Sequence, residues 1–201
     1  MFYLIIAQAL WLILPAYIAN GCALLVGGGT PIDFGKNYKD GRRILGDGKT
    51  WRGLITGSVL GMSAGFGLSV VAKYAAIFPE TSWIGIDDFT GFPFMIPIIG
   101  SICFGALLGD IIESFFKRRM NIKRGGDWIP FDQIDFILGV LFFTFIISTL
   151  LHILGFMSYN WFIKTFTPWH ILTLVILTPF FHLLGNLIAK IAKHKNSKKN
   201  I

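Results

Sequence analysis

Residues 109–135 read GDIIESFFKRRMNIKRGGDWIPFDQID, from Gly109 and Asp110 through Lys117 and Pro130 to Asp132 and Asp135. Five carboxylates and five Lys/Arg are crowded between two long apolar runs. Charge that dense at a membrane boundary is costly, so it points to chemistry or to a highly charged ligand. The flanking runs decide the fold class, and the charged stretch locates the function.

Outward from that stretch the chain is greasy. Of 201 residues, 54% are hydrophobic, with 20 Phe and a mean hydropathy of +0.65, well above an ordinary soluble domain. Five apolar runs, about 3–26, 53–78, 93–116, 134–157 and 169–189, each have the roughly 20 residues a bilayer crossing needs. The expected fold is an all-α integral membrane domain over 1–201. Its five transmembrane helices are joined on one side by loops 27–52 and 117–133. The first run has no basic residue ahead of it and no small-residue cleavage site after it, which predicts a retained helix rather than a signal peptide. Cys22 and Cys103 lie inside apolar runs and suggest small buried hydrophobes, not a disulfide framework.

The net charge of +7 does not mark a nucleic-acid protein, because the basic residues are one-sided. Loops 27–52 and 117–133 and the tail after 189 hold all but Lys73 and Lys164. The positive-inside rule makes that side cytoplasmic. The N-terminus is then outside and the C-terminus inside, the parity five crossings require. The lysine-rich tail reads as lying against anionic headgroups or as a solvated end.

Gly53, Gly57, Gly61 and Gly65 recur every four residues on the second helix. They form a face for close helix packing, either within the chain or as a homodimer seam. Pro179 is expected to loosen the fifth helix. Loop 27–52, punctuated by Gly27-Gly28-Gly29-Thr30-Pro31 and later glycines, is not expected to be helical. Its Gly48-Lys49-Thr50 matches the end of a phosphate-binding P-loop, but Arg43 stands where that motif needs Gly and no strand precedes it. What survives is a glycine-rich turn at a helix start, able to offer N–H groups to an anion beside Lys49 and Arg52. An ordinary positive-inside loop is the plainer reading.

Asp110, Glu113, Ser114 and Lys117 share one helix face by their i, i+3, i+4, i+7 spacing. Ion pairing alone would account for Glu113 and Lys117. Asp132 could simply cap the fourth helix, with Asp135 in its first turn. Both explanations weaken because the short loop makes Asp110 and Asp132/Asp135 neighbours. Oxygen-only groups of this kind suit Mg2+, which takes one or two carboxylates plus substrate phosphates. Acids beside many bases suit a phosphate-rich substrate, where catalysis is positioning and charge neutralisation. His152, His170, His182 and His194 are scattered and complete no metal site.

The run Gly109-Asp110-Ile-Ile-Glu113-Ser114-Phe-Phe-Lys117-Arg118, followed by Lys123-Arg124, Gly126, Pro130 and Asp132-Gln133-Ile134-Asp135, resembles the signature of membrane phosphatidate cytidylyltransferases. The family's His-Gly-Gly insert is missing, Gln133 replaces its Arg, and Arg124 stands where it has Asp. The compact length, with Pro31-Ile32-Asp33-Phe34-Gly35 and the run Asp40 to Gly53, resembles the ether-lipid branch, which makes CDP-archaeol. That resemblance implies a reaction of CTP with unsaturated archaetidic acid, a prenylated glycerol ether phosphate, giving CDP-unsaturated archaeol and pyrophosphate. It implies Mg2+ on Asp110, Asp132 and Asp135, with Glu113 a weaker ligand. Lys117 joins them as a catalytic residue, Arg118 and Lys123 hold phosphates, and Arg43, Lys49 and Arg52 hold CTP or the lipid phosphate. Arg42 or Arg124 would substitute for the Arg missing at Gln133. Two alternatives stand beside it. One is a CDP-alcohol phosphotransferase, faintly echoed by Asp40-Gly41-Arg42-Arg43. The other is a small transporter or scaffold, which the edge position of the acids and the lack of repeats disfavour.

Overall fold

The computed structural model describes residues 2–122, 126, 128 and 131–180, with the backbone alone for Phe131. Among the described residues four helices, α1 (Phe2–Val26), α2 (Trp51–Ile77), α4 (Met95–Arg119) and α5 (Phe131–Ile153), are long and apolar enough to cross a membrane. At 1.5 Å per residue each is about 35–40 Å long, more than the hydrocarbon core. Short helices α3 (Pro79–Ser82) and α6 (Trp161–Thr165) lie in the connections at the opposite end from loop 27–50. The fifth predicted run begins as α7 (Pro168–Phe180). Its remainder, with His182, His194 and the lysine tail, lies outside the described residues.

The ends differ from expectation in one useful way. α4 continues to Arg119, so Lys117, Arg118 and Arg119 occupy its last turn rather than a loop. Three cations there are favoured by the helix dipole. α5 starts three residues earlier than the apolar run suggests, which takes Asp132 onto the helix with Asp135.

Between helices in lipid there is little hydrophobic driving force, so association depends on close packing. α1 pairs with α2, α4 pairs with α5, and α1, α2 and α4 meet in the core. There Leu12 and Ile13 pack with Ile98, Ile99 and Ile102. The glycine row of α2 is used inside the chain. A Cβ on Gly57 would stand 2.6 Å from the Ala19 carbonyl, and one on Gly61 2.7 Å from Ala19 Cβ. That face is therefore covered by α1, which removes it as a dimer seam. A second glycine contact joins α4 to α5. A Cβ on Gly109 would strike the Asp135 carbonyl, and one on Gly139 the Gly105 carbonyl.

Loop 27–50 is not helical, as expected, but it is well ordered by hydrogen bonds. Thr50 caps α2 by accepting the Gly53 N–H at 3.1 Å. Antiparallel bridges join Pro31 to Thr50 and Asn37 to Arg43. Asp33 is the hub. Its carboxylate accepts backbone N–H groups of Gly35, Leu45 and Gly46 at 3.0–3.1 Å, and Arg43 grips both oxygens at 2.9 and 3.3 Å. Burial alone would raise its pKa, but Arg43 and those three N–H groups hold it far below the usual carboxylate range.

Candidate active site

The α4–α5 contact builds the site. Because Gly109 has no side chain, the α4 backbone rests on the Asp135 carbonyl. The next residue along, Asp110, is thereby delivered beside Asp135. One turn on, Glu113 faces the same way. Ligand oxygens of Asp110, Glu113 and Asp135 all lie within 4.8 Å of one another. Glu113 is only 7% exposed.

By family likeness the sequence ranks Asp132 above Glu113 as a ligand. The structure groups Glu113 with Asp110 and Asp135, and sets Asp132 beside Glu113 with Lys117 shared between them. Asp132 Oδ1 lies 2.7 Å from Lys117 Nζ, and its Oδ2 accepts the Trp128 N–H at 3.0 Å. It sits in the first turn of α5, not at its cap. Lys117 Nζ is also 3.1 Å from Glu113 Oε1. Glu113 Oε1 and Asp132 Oδ1 thus share one lysine ammonium.

Loop 27–50 closes over the same point. Lys49 Nζ meets Asp110 Oδ2 at 2.5 Å. Beneath that pair lies a cavity of about 80 Å³ between α1, α2 and α4, lined by Asn20, Thr50, Leu107 and Asp110 among others. Asn20 Oδ1 is buried there without a partner. On the bilayer side, a larger groove of about 670 Å³ runs between α4 and α5 and includes Glu113 and Asp135 at its polar end.

The other predicted basic residues divide. Arg43 is spent on Asp33 and Asp47, the latter at 2.7 Å, so it shapes the loop instead of waiting for a ligand. Arg42 is likewise engaged, donating to the Arg119 carbonyl at 2.6 Å. Arg118 bonds the Ile122 carbonyl at 2.8 Å, while its buried Nε has no partner and lies near Gly46. Arg52 is exposed at the start of α2. Lys123, Arg124, Asp127 and Pro130 lie outside the described residues. Gln133 is buried.

Arg119 escaped the sequence reading. It pairs with Asp40 at 2.9 Å, donates to the Arg43 carbonyl, and stacks over Tyr38 and Phe115 at 4.8 and 5.0 Å. It clasps loop 27–50 to the end of α4. Charge spacing gave no hint of it, because its partners are 76–79 residues away.

The acidic set fits a divalent cation. Four carboxylates, Asp110, Glu113, Asp132 and Asp135, face two lysines, Lys49 and Lys117, leaving a formal surplus of two negative charges. An all-oxygen donor set with more carboxylates than ammonium groups is chemistry that Mg2+ accepts.

Apolar spanning helices with a charged pocket at one end, partly open to the bilayer, define an integral membrane enzyme working at the lipid boundary. A family model described as CarS-like, CDP-archaeol synthase, matches residues 1–198. A CDP-archaeol synthase of Methanosarcina mazei is 41% identical over 181 residues, covering 87% of this chain and 93% of its own. One from Methanocaldococcus jannaschii is 38% identical over 191 residues, covering 94% of each. A solved structure described as an intramembrane enzyme for archaeal membrane lipid biosynthesis superposes with a TM-score of 0.66. It is 33% identical, over 90% of this chain and 94% of that one. The chain belongs to the CDP-archaeol synthase family, the cytidylyltransferases of archaeal lipid biosynthesis.

Proposed function

We propose that the protein transfers the cytidylyl group of CTP to unsaturated archaetidic acid, digeranylgeranylglyceryl phosphate, with Mg2+ as cofactor. The observation that carries this reading is the convergence of Asp110, Glu113 and Asp135 beside Lys49 and Lys117 at the polar end of a bilayer-facing groove. A phosphate oxygen of the lipid attacks the α-phosphorus of CTP. The bond from that phosphorus to the bridging oxygen of the β-phosphate breaks, and pyrophosphate leaves. The nucleophile is already an anion, so no strong general base is needed.

The obstacle is repulsion between two phosphates, and the protein answers it with positioned charge. Asp110, Glu113 and Asp135 would hold the metal, which supplies positive charge to triphosphate oxygens when bound. Lys49, held by Asp110, is placed to meet a phosphate that displaces it from that carboxylate. Lys117 is set between Glu113 and Asp132. Asp132 acts through Lys117 by fixing its ammonium. Arg52 and Lys123 add positive charge for the nucleotide, and Arg118 holds the neighbouring backbone.

The one-sided basic residues favour an active site facing the cytoplasm of the cell membrane, an outside N-terminus and five crossings. Consistent with that reading, loop 27–50 and the end of α4 lie together, tied by Arg42 and Arg119. The decisive test supplies purified protein with labelled CTP, Mg2+ and either an ether-linked or an ester-linked lipid phosphate. Label is expected in a CDP-lipid, preferentially from the unsaturated ether substrate. Label entering neither lipid would overturn the proposal.

A further inference from the structure

Gly53 and Gly57 pack on α1, so residues two positions to either side of them lie on the opposite face of α2. Trp51, Ile55 and Val59 are there, about one turn apart, and all three are exposed. On a helix long enough to cross a membrane that stripe faces lipid, and Trp51 ends it where loop 27–50 joins.

The loop extends the stripe. Phe34 is 63% exposed, and its ring lies 6.4 Å from that of Trp51. Its backbone is left-handed, with φ of 49°, a region that bulky side chains rarely adopt. The Phe34 N–H donates to the Pro31 carbonyl at 3.0 Å, and its neighbour Asp33 is the buried hub of the loop. The turn therefore hides the acid and pushes the apolar ring outward. Backbone strain that exposes a phenylalanine points to a partner for it.

The charges around the ring are one-sided. The loop's acids are all taken, Asp33 and Asp47 by Arg43 and Asp40 by Arg119. Lys49 is held by Asp110. Lys36, Lys39 and Arg52 are exposed and have no acid partner among the described residues. Lys36 follows closely on Phe34, Arg52 is next to Trp51, and Lys39 sits in the turn closed by the Asn37–Arg43 bridge. Exposed aromatic rings flanked by unpaired cations match the water–bilayer boundary, where Trp sits at headgroup level and lysines meet anionic phosphates. A nucleobase fits the ring pair less well. The rings are inclined at 43°, so they form no parallel-walled slot for a planar ligand.

We propose that loop 27–50 is a membrane-docking element: Phe34 and Trp51 seat it at the bilayer surface, and Lys36, Lys39 and Arg52 hold anionic lipid headgroups there. Trp51 follows Lys49 and Thr50 directly, so the same seat steadies that lysine over Asp110. This docking does not depend on the cytidylyltransfer reading above.

The test uses the full-length protein with a photoreactive benzophenone side chain in place of Phe34. It is reconstituted into vesicles of phosphatidylcholine alone or mixed with phosphatidylglycerol. Illumination should join position 34 to lipid in the mixed vesicles. Lys36→Glu together with Lys39→Glu should lower that yield about fivefold or more, the scale of one lysine at an anionic surface. In phosphatidylcholine alone the same two substitutions should leave the yield unchanged, which also shows that the loop still folds. The proposal is overturned by absence of lipid adducts, by adducts joining two copies of the chain, or by an equal yield after charge reversal in mixed vesicles. A fall of the same size in both kinds of vesicle overturns it too.

Phe34→Ser gives an independent arm. Its KM for CTP should stay at the wild-type value. A rise of about tenfold, the scale of a lost base-stacking contact, would assign the aromatic pair to the nucleotide and overturn the docking. Wild-type protein that consumes no CTP with any lipid phosphate would sink cytidylyltransfer itself, and the photolabel would still decide the docking.

Discussion

At the end of the bundle remote from loop 27–50, Asp87 is fully engaged. Its carboxylate accepts the Phe89 N–H at 2.6 Å, the Trp161 indole N–H at 3.1 Å and the Thr165 hydroxyl at 3.3 Å. Its own carbonyl accepts the Trp11 indole at 2.9 Å, and Gln8 and His170 close the network nearby. At the opposite end, Glu113 Oε1 and Asp132 Oδ1 share the single ammonium of Lys117, and Arg118 keeps a buried Nε without a hydrogen bond. Both regions bury charge, but the Asp87 carboxylate is saturated by the protein, whereas at the other end four carboxylates share two lysines and the site is left incomplete in charge. Saturated networks hold a fold together, whereas incomplete ones mark where a ligand supplies the missing partners.

The largest effect should come from the incomplete end. Asp135→Asn, or Asp110→Asn, is expected to reduce cytidylyltransfer by at least about 100-fold, beyond the usual cost of losing an outer-shell partner. Thermal unfolding should remain cooperative. Near-normal turnover would break the contrast, because a saturated structural role would then describe both ends.

Next comes the glycine contact that assembles the site. Gly139→Ala places a methyl against the Gly105 carbonyl. It should destabilise the protein by about 3 kcal/mol, as overpacking does. Residual activity should fall further than unfolding alone explains, measured as turnover per folded molecule. The saturated end should behave in reverse. Asp87→Ala strands the Trp161 and Thr165 donors and should cost about 1–3 kcal/mol of stability, while turnover per folded molecule stays normal.

The smallest effects are in pH dependence, and they carry opposite signs at the two ends. Asp33, beside the incomplete site, is depressed in the fold. Its stabilisation is complete above the unfolded value near 4 and is lost only as pH falls through its depressed value. Loop 27–50 should therefore survive a titration from pH 7 to about 4, followed by Trp51 fluorescence. At Asp87, burial leads, opposed by its hydrogen bonds, and Asp88 adds repulsion; the net effect raises its pKa. Ionised Asp87 therefore carries a penalty at neutral pH, which is relieved as pH falls through the raised value toward the unfolded one. Asp87→Asn should remove that local gain in stability on acidification.

Much of the architecture was legible because bilayer length and hydropathy leave few choices. The four long helices fall close to their predicted runs, and the α2 glycines mark a packing face by spacing alone. The three carboxylates that converge, Asp110, Glu113 and Asp135, were all candidates by sequence. Helical periodicity put Glu113 on the Asp110 face, but family likeness favoured Asp132 as a ligand. What separates them is Lys117, whose ammonium reaches across from α4 to α5, and no one-helix pattern reports such a reach. Gly105 and Gly109 did carry a signal, the same four-residue spacing as on α2, now matched to Gly139 across the interface. Asp33 and Arg43 read as one more acid and one more base in a charged loop. Their roles depend on a turn that folds Leu45 and Gly46 back onto Asp33, which local sequence does not announce.

The bare crossing at Gly109 and Asp135 sets a fixed origin for the chemistry. With main chain resting on main chain, the two helices cannot draw closer, and any spacer between them would pull the acids apart. The adjustable dimension is then the length of each acidic arm. Lengthening Asp135 to Glu would advance its oxygens by one methylene, about 1.5 Å, from an unmoved pivot, altering the ion's cage while leaving the bundle's geometry untouched.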